Sequence, residues 1–94
     1  MNETTPARIQ ALLTAAFGPA EIRIRDDSAL HAGHAGAREG GGHYHVTLCA
    51  AAFAGQPMLA RHRAVYAALA PLMGSAIHAL SLATHTPDEM AGHR

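Results

Sequence analysis

The order in which helical and strand-like hydrophobic patterns follow one another restricts this chain to few folds. Apolar residues recur with a helical period over residues 5–17, with Thr5 as the cap, Pro6 in the first turn and Gly18-Pro19 as the stop. Polar and apolar residues then alternate over 21–25, which predicts a half-buried strand. A helix followed directly by such a strand is typical of mixed α and β domains.

The segment 43–49 also alternates, and it predicts a second strand. One face of this strand is apolar and is expected to face the core, and it carries Tyr44, Val46 and Leu48. The opposite face carries His43, His45, Thr47 and Cys49. The sequence alone assembles no chemical constellation around the histidines of this second face.

Helical spacing returns after Gly55-Gln56-Pro57 and predicts a second helix over residues 58–73. Pro71 is expected to kink or shorten its carboxyl end, and Gly74 to close it. The stripe that we expect to face the core consists of Met58, His62, Val65, Tyr66, Leu69 and Leu72. His62 is therefore expected to be a structural histidine with a hydrogen-bond partner rather than a metal ligand.

The last third of the chain predicts one more strand and one more helix. Residues 76–84 are small or apolar on both faces, which favours a more central strand. The sequence Thr86-Pro87-Asp88-Glu89 is a capping box that starts a short helix. The predicted order is α-β-β-α-β-α, an α+β fold with a three-stranded sheet and helices on one face. If the strands that flank the second helix run parallel, their crossover is right-handed.

Composition predicts one small domain with a thin core. Of the 94 residues 22 are Ala, whereas Leu, Ile, Val and Phe together number only 17. We expect a single domain over 1–94, with its core over about 5–90. The amino terminus has no signal-peptide pattern and no apolar run reaches the length of a membrane span, so a cytoplasmic location is expected.

Charge and cysteine content exclude several site types. A single cysteine, Cys49, leaves no internal disulfide and no all-cysteine metal site within one chain. The net charge is zero and there is no Lys, so the chain as a whole has no electrostatic footprint for nucleic acid. Histidine is the unusual component, with eight residues whose charge and ligand capacity change near neutral pH.

Residues 28–42 form an insert between the first two predicted strands that is too long for a hairpin turn. It contains five of the nine glycines and two histidines, His31 and His34. Long segments of this kind in small domains are either functional or simple connectors, and the residues leave both readings open. On its own, His31-x-x-His34 is a weak zinc signal, because nothing else completes a tetrahedral set.

Three motifs in order resemble the BolA family: Phe53-x-Gly55, the run Arg61-His62-Arg63-Ala64-Val65-Tyr66, and Ile77-His78-Ala79-Leu80. The insert followed by His43-Tyr44 is also similar to BolA proteins, in which a loop with histidine or cysteine precedes a strand. The resemblance covers residues 7–90. It implies a fold of the class II K-homology type, in agreement with the predicted order of elements.

The resemblance also implies a partner and a cofactor. BolA proteins pair with monothiol glutaredoxins, and a [2Fe–2S] cluster is held between the two proteins, with thiolates from the glutaredoxin cysteine and glutathione. The BolA side gives a histidine near the start of the last strand and a histidine or cysteine from the loop. Carried over, these ligands are His78 and His34, which lies nine residues before His43, with His31 as the fallback.

The residues suit this division of ligands. Clusters of this kind need about four protein or thiol ligands, and histidine replaces cysteine on one iron in Rieske centres. A chain with one cysteine cannot hold a cluster with its own thiolates, but it can give two imidazoles to a partner that gives two thiolates. Cys49 lies at the end of a strand, and we expect a small, semi-buried structural residue there rather than a ligand.

We therefore predict a non-enzymatic adaptor that binds a monothiol glutaredoxin and co-ligates a [2Fe–2S] cluster, in cluster assembly, trafficking or iron regulation. The alternative is a DNA-binding transcriptional regulator of the BolA type, which would use Arg61, Arg63 and the segment around Gly55. The two arginines point away from the apolar stripe, and the residues leave open whether they form a cationic patch or simply a solvated face. Neutral charge and Ala54-Gly55-Gln56-Pro57, in place of a Gly-x-x-Gly loop, weigh against DNA binding. A zinc hydrolase is the weakest reading, because no nucleophile–base pair is visible.

Overall fold

The computed structural model describes residues 4–27 and 42–92. In chain order the elements are α1 (Thr5–Phe17), β1 (Glu21–Asp26), β2 (Gly42–Cys49), a 3-10 turn (Ala51–Phe53), α2 (Met58–Ala68), β3 (Ile77–His85) and α3 (Pro87–Gly92). This order and the α+β class confirm the sequence prediction. The insert 28–42, with His31 and His34, lies outside the described residues except for Gly42.

Helix α1 has the amino acids that its two ends require. The Oγ1 atom of Thr4, rather than that of Thr5, accepts a hydrogen bond of 3.2 Å from the backbone N–H of Ala7. The predicted cap was therefore wrong by one residue, and Thr5 is the first residue of the helix. Gly18 ends the helix with a φ of 74°, in the left-handed region that favours glycine.

The sheet has the strand order β1-β2-β3. Strands β1 and β2 are antiparallel, with Glu21 opposite Cys49, whereas β2 and β3 are parallel. The central strand is thus β2, and the prediction of a more central position for β3 was wrong. Leu80 and Leu82 of β3 are partly buried against the core, and the Tyr66 hydroxyl of α2 donates to the Leu80 carbonyl at 3.1 Å.

Helix α2 is shorter than predicted and is turned about its axis relative to the prediction. It ends at Ala68 rather than at residue 73. In a continued helix Pro71 would have no N–H to donate, and its ring would collide with the carbonyl four residues earlier. Its buried residues are Arg61 and Val65, and Leu69 continues the same line. Met58 and Tyr66, both expected in the core, are 51% and 41% exposed.

The core lies between one face of the sheet and the helices α1 and α2, as predicted. All three residues expected on the core face of β2 are buried. They pack with apolar residues of α1, α2, the connecting turns and the start of β3: Ile9, Leu13, Phe53, Val65, Leu69, Leu72 and Ile77. The rings of Phe17 and Phe53 lie 5.1 Å apart between centroids and close this core at one end.

Candidate functional site

A β-bulge lies at the beginning of β3. Gly42 pairs with Ile77 and His43 pairs with Ala79, so His78 is an extra residue that has no paired residue on β2. A bulge bends its strand and redirects the side chain of the added residue. The His78 side chain is exposed at this point. The structure thus presents to solvent the residue that the sequence assigns as the strand ligand.

His43 lies next to His78. The two imidazole centroids are 5.4 Å apart and the ring planes are inclined by 46°. His43 is the second residue of β2 and is half-buried, on the sheet face opposite the core. The structure therefore brings together two imidazoles from the starts of two parallel strands, and we call them the His43–His78 pair.

The sequence did not reveal this pair. It placed His43 on the correct face but could not place His78 beside it, because that adjacency depends on the parallel pairing of β2 with β3 and on the bulge. Both features arise between segments that are more than 30 residues apart in the chain. The only local signal was that both histidines lie at the start of a predicted strand.

The other predicted ligands have different positions. His34 and His31 fall in the insert, outside the described residues. Cys49 is buried at the opposite end of β2 from His43, and burial raises the pKa of its thiol. Within residues 4–27 and 42–92, no group of three or more His, Cys, Asp or Glu side chains is placed to hold a metal ion. In the described part of the chain the imidazoles of His43 and His78 therefore lie side by side, whereas the thiol of Cys49 is buried.

Arg61 does not lie on a surface patch, and this prediction was wrong. Its Nε donates to the Gln56 carbonyl at 2.8 Å, and its two terminal nitrogens donate to the Glu89 carboxylate at 2.7 and 2.9 Å. Its guanidinium carbon lies 5.8 Å from the centroid of the Phe53 ring. The cause is the rotation of α2, which turns Arg61 inward. Arg63 is exposed, and its part in nucleic-acid binding stays a prediction.

Glu89 has two roles in this arrangement. It completes the predicted capping box of α3, because its carboxylate accepts from the Thr86 N–H at 2.9 Å and its own N–H donates to the Thr86 hydroxyl at 3.1 Å. The hydrogen bonds from Arg61 and then from the Thr86 backbone lower the pKa of Glu89 from 4.5 to about 2. The carboxylate therefore stays ionised throughout the neutral range.

An open cavity of about 490 Å³ lies beside this ion pair. It is lined by the 3-10 turn, Gly55, Arg61 and residues 86–89 at the start of α3. The His43–His78 pair lies at the other end of β3, which at its nine-residue length spans about 25 Å. The cavity and the imidazole pair are therefore separate features.

Comparison of this chain with known proteins identifies its family. The family model described as BolA-like protein matches residues 13–89 of this chain. The chain belongs to the BolA family. Its relative in Escherichia coli (strain K12), the DNA-binding transcriptional regulator BolA, is 38% identical over 85 residues, which cover 90% of this chain and 78% of that protein.

Plant BolA proteins give the same result in sequence and in structure. The solved structure of BolA1 from Arabidopsis thaliana superimposes with a TM-score of 0.80 and 34% identity, covering 95% of this chain and 98% of that one. SufE-like protein 1 of the same plant is 35% identical over 88 residues, 88% of this chain. This BolA-like chain spans only 24% of that longer protein.

Location is not decided by these relatives. SufE-like protein 1 is described as chloroplastic and mitochondrial, and BolA1 of Arabidopsis thaliana as chloroplastic. The cytoplasmic location expected for this BolA-like chain therefore stays a prediction. Among the helices that the structure describes, none has the length and apolar character needed to cross a bilayer.

Proposed function

We propose that this BolA-like chain is a non-enzymatic adaptor that binds a monothiol glutaredoxin and co-ligates a [2Fe–2S] cluster with it. Its role would lie in cluster assembly, trafficking or iron regulation. The observation that supports this proposal is His78, exposed on a bulge with a second imidazole 5.4 Å away. The only thiol of the chain is buried, which supports a source of thiolate ligands outside this chain.

The ligand count supports a shared cluster rather than a cluster held by this chain alone. In Rieske [2Fe–2S] centres two histidines bind one iron and two thiolates bind the other. Two imidazoles from this chain and two thiolates from the glutaredoxin and its glutathione make a complete set. His78 is the first of these imidazoles, and His34 or His31 is the second by family resemblance.

Co-expression with a monothiol glutaredoxin tests this function. We expect an anaerobically purified, coloured heterodimer whose visible absorption and circular dichroism differ from those of the glutaredoxin alone. His78→Ala should change these spectra or lose the colour. His62→Ala removes a half-buried imidazole from α2, away from the pair, and should leave them unchanged. A complex without iron, or a His78→Ala spectrum identical to the original, would contradict the proposal.

DNA binding is the second candidate, favoured by the description of the Escherichia coli relative as a DNA-binding transcriptional regulator. The exposed cation on α2 available for this role is Arg63, since Arg61 is buried in its pair with Glu89. Fluorescence anisotropy with duplex DNA at several salt concentrations tests it. Binding should weaken steeply with salt and in Arg63→Gln, whereas Arg23→Gln on β1 is the control. Salt-independent or absent binding would exclude this function.

A further inference from the structure

The two edge strands of the sheet, β1 and β3, differ in charge. Four of the six residues of β1 are charged, and charged side chains are one way in which proteins prevent an exposed edge from pairing with another strand. Strand β3 has no Asp, Glu, Lys, Arg or Pro. In the part of the chain that the structure describes, the outer side of β3 is bridged only at its first residue, Ile77, by Met73. The rest of this edge is therefore open to a further strand.

The backbone of β3 presents hydrogen-bonding groups at this edge. The His85 carbonyl accepts from the Ala50 N–H at 2.9 Å, so it points toward the chain that follows β2. Because peptide groups alternate in direction along a strand, the N–H and C=O groups of Leu80 and Leu82 point to the opposite side. The Tyr66 hydroxyl donates to the Leu80 carbonyl there, at 3.1 Å.

Exposed apolar side chains of α2 lie beside the same edge. The large hydrophobic residues that are exposed in the described part of the chain are Met58, Leu59 and Tyr66, and all three belong to α2. Two of them contact β3, since the Thr84 hydroxyl donates to the Met58 sulfur at 3.0 Å and Tyr66 bonds to the Leu80 carbonyl. A strand added at this edge would cover apolar surface that otherwise faces water.

The sequence of β3 indicates which strand fits. Residues 79–83 read Ala-Leu-Ser-Leu-Ala, which is the same in both directions about Ser81. We propose that β3 pairs with β3 of a second copy of this chain, antiparallel about a two-fold axis at Ser81. Leu80 then lies opposite Leu82, Ala79 lies opposite Ala83, and Ser81 lies opposite itself. Each residue meets one of its own type, and no like charges face each other across the axis.

The directions of the peptide groups agree with this register. Leu80 of one copy and Leu82 of the other exchange two hydrogen bonds, and the symmetric pair gives two more. The Leu80 carbonyl has a second lone pair, so the bond from Tyr66 does not prevent this pairing. The leucines lie on the core face of the sheet, where both are already partly buried, so the pairing extends the core across the axis.

Sedimentation velocity of the full chain over a series of concentrations tests the proposal, without iron or a glutaredoxin. We expect a monomer–dimer equilibrium. Ser81→Glu should weaken the dimer about tenfold or more, because two carboxylates would face each other from backbones about 4.5 Å apart. Ser81→Lys should weaken it in the same way, whereas an equal mixture of the two variants should form a mixed dimer. Thr14→Glu adds the same charge at an exposed position of α1 and should change nothing.

Two results of this experiment would overturn the proposal. The first is a monomer at every concentration. The second is a dimer that persists in Ser81→Glu, which would place the contact elsewhere on the chain. Neither result bears on the shared cluster, because no iron, histidine ligand or glutaredoxin takes part in the measurement. Melting temperatures check that both Ser81 variants are folded.

Amide hydrogen exchange on the original chain gives a second measurement that needs no variant. The N–H groups of Leu80 and Leu82 should exchange more slowly as the protein concentration rises, because the dimer bonds them. The Ile24 N–H on β1 is the control. The Asp27 N–H donates to β2, so by alternation the Ile24 N–H points to the other edge of the sheet. Its exchange should not depend on concentration, and the same independence at Leu80 and Leu82 would overturn the proposal.

Discussion

Arg61 and Glu89 form a two-pronged ion pair, with nitrogen–oxygen distances of 2.7 and 2.9 Å, that joins helix α2 to the first turn of α3. Arg61 is also bonded to the Gln56 carbonyl, so one side chain connects three segments. Arginine is suited to this position because its planar fork matches a carboxylate with two parallel hydrogen bonds. Arg61 therefore has a structural role: it joins these segments instead of lying on a charged surface.

The first prediction concerns Arg61 itself. Arg61→Ala should lower the melting temperature by several degrees, because it removes the side-chain donor to the Gln56 carbonyl and the two donors that Arg61 gives to the Glu89 carboxylate. Arg63→Ala removes the same charge from the same helix at an exposed position and should change the melting temperature by about a degree or less. Thermal unfolding followed by circular dichroism compares the two. Equal effects would show that Arg61 does not connect these segments.

The second prediction follows from the lowered pKa of Glu89. Its pKa is about 2 in the folded protein and 4.5 ordinarily, so its ionised form stabilises the fold above pH 4.5. This contribution is lost as the pH falls from about 4.5 to 2. Glu89→Gln should therefore be less stable than the original chain at pH 7, and the difference should disappear near pH 2. Urea unfolding at a series of pH values measures it, and a difference independent of pH would contradict the lowered pKa.

The third prediction tests the orientation of α2 with two leucines. Leu69, the residue at which α2 ends, is fully buried, whereas Leu59 in the first turn of α2 is 62% exposed. Leu69→Ala should lower the free energy of unfolding by about 2–5 kcal/mol because it leaves a cavity in the core. Leu59→Ala should change it by about 0.5 kcal/mol or less. Urea denaturation gives both values, and similar losses would mean that the helix is rotated from the position seen here.

Features set by local spacing could be predicted from the sequence. The order of the elements follows from alternation and helical periodicity, and the capping box at Thr86 and Glu89 was read directly. The core face of β2 was also correct, because Tyr44, Val46 and Leu48 contrast clearly with the residues between them. In each case the contacts that decide the structure lie within a few residues of one another in the chain.

Features set by contacts between distant segments could not be predicted. Helix α2 is rich in alanine, so its few large apolar residues do not define which face of the helix points to the core. Arg61 is predicted at the surface because its partner, Glu89, lies 28 residues away in the chain. The position of β3 at the edge has no local signal either. The same holds for the His43–His78 pair, which requires both a strand register and a bulge.

The fourth prediction concerns the close approach of Gly42 to Tyr44. A Cβ atom at Gly42 would lie 2.5 Å from the nearest ring carbon of Tyr44, so any side chain there must displace the ring. Gly42→Ala should cost about 1–3 kcal/mol of unfolding free energy through overpacking. In a Tyr44→Leu background, which lacks the ring, the same change should cost less. A double-mutant cycle measured by urea denaturation gives the coupling, and additive effects would contradict the contact.

The last prediction concerns the source of the thiolates. Burial raises the pKa of the Cys49 thiol above its ordinary value of 9.0, with further contributions from the charges of Glu21 and Glu89. The folded chain should therefore react with iodoacetamide at pH 7.5 much more slowly than the chain unfolded in urea, because the thiolate is both scarce and inaccessible. In the complex with a glutaredoxin, Cys49→Ala should leave the visible spectrum and the iron content unchanged, whereas loss of the partner's cysteine should remove the colour. Melting temperature checks that the variant is folded. If the folded Cys49→Ala complex had no colour, Cys49 would be a thiolate ligand of the cluster. That result would contradict the proposal that this chain gives only imidazoles and that both thiolates come from the glutaredoxin and its glutathione.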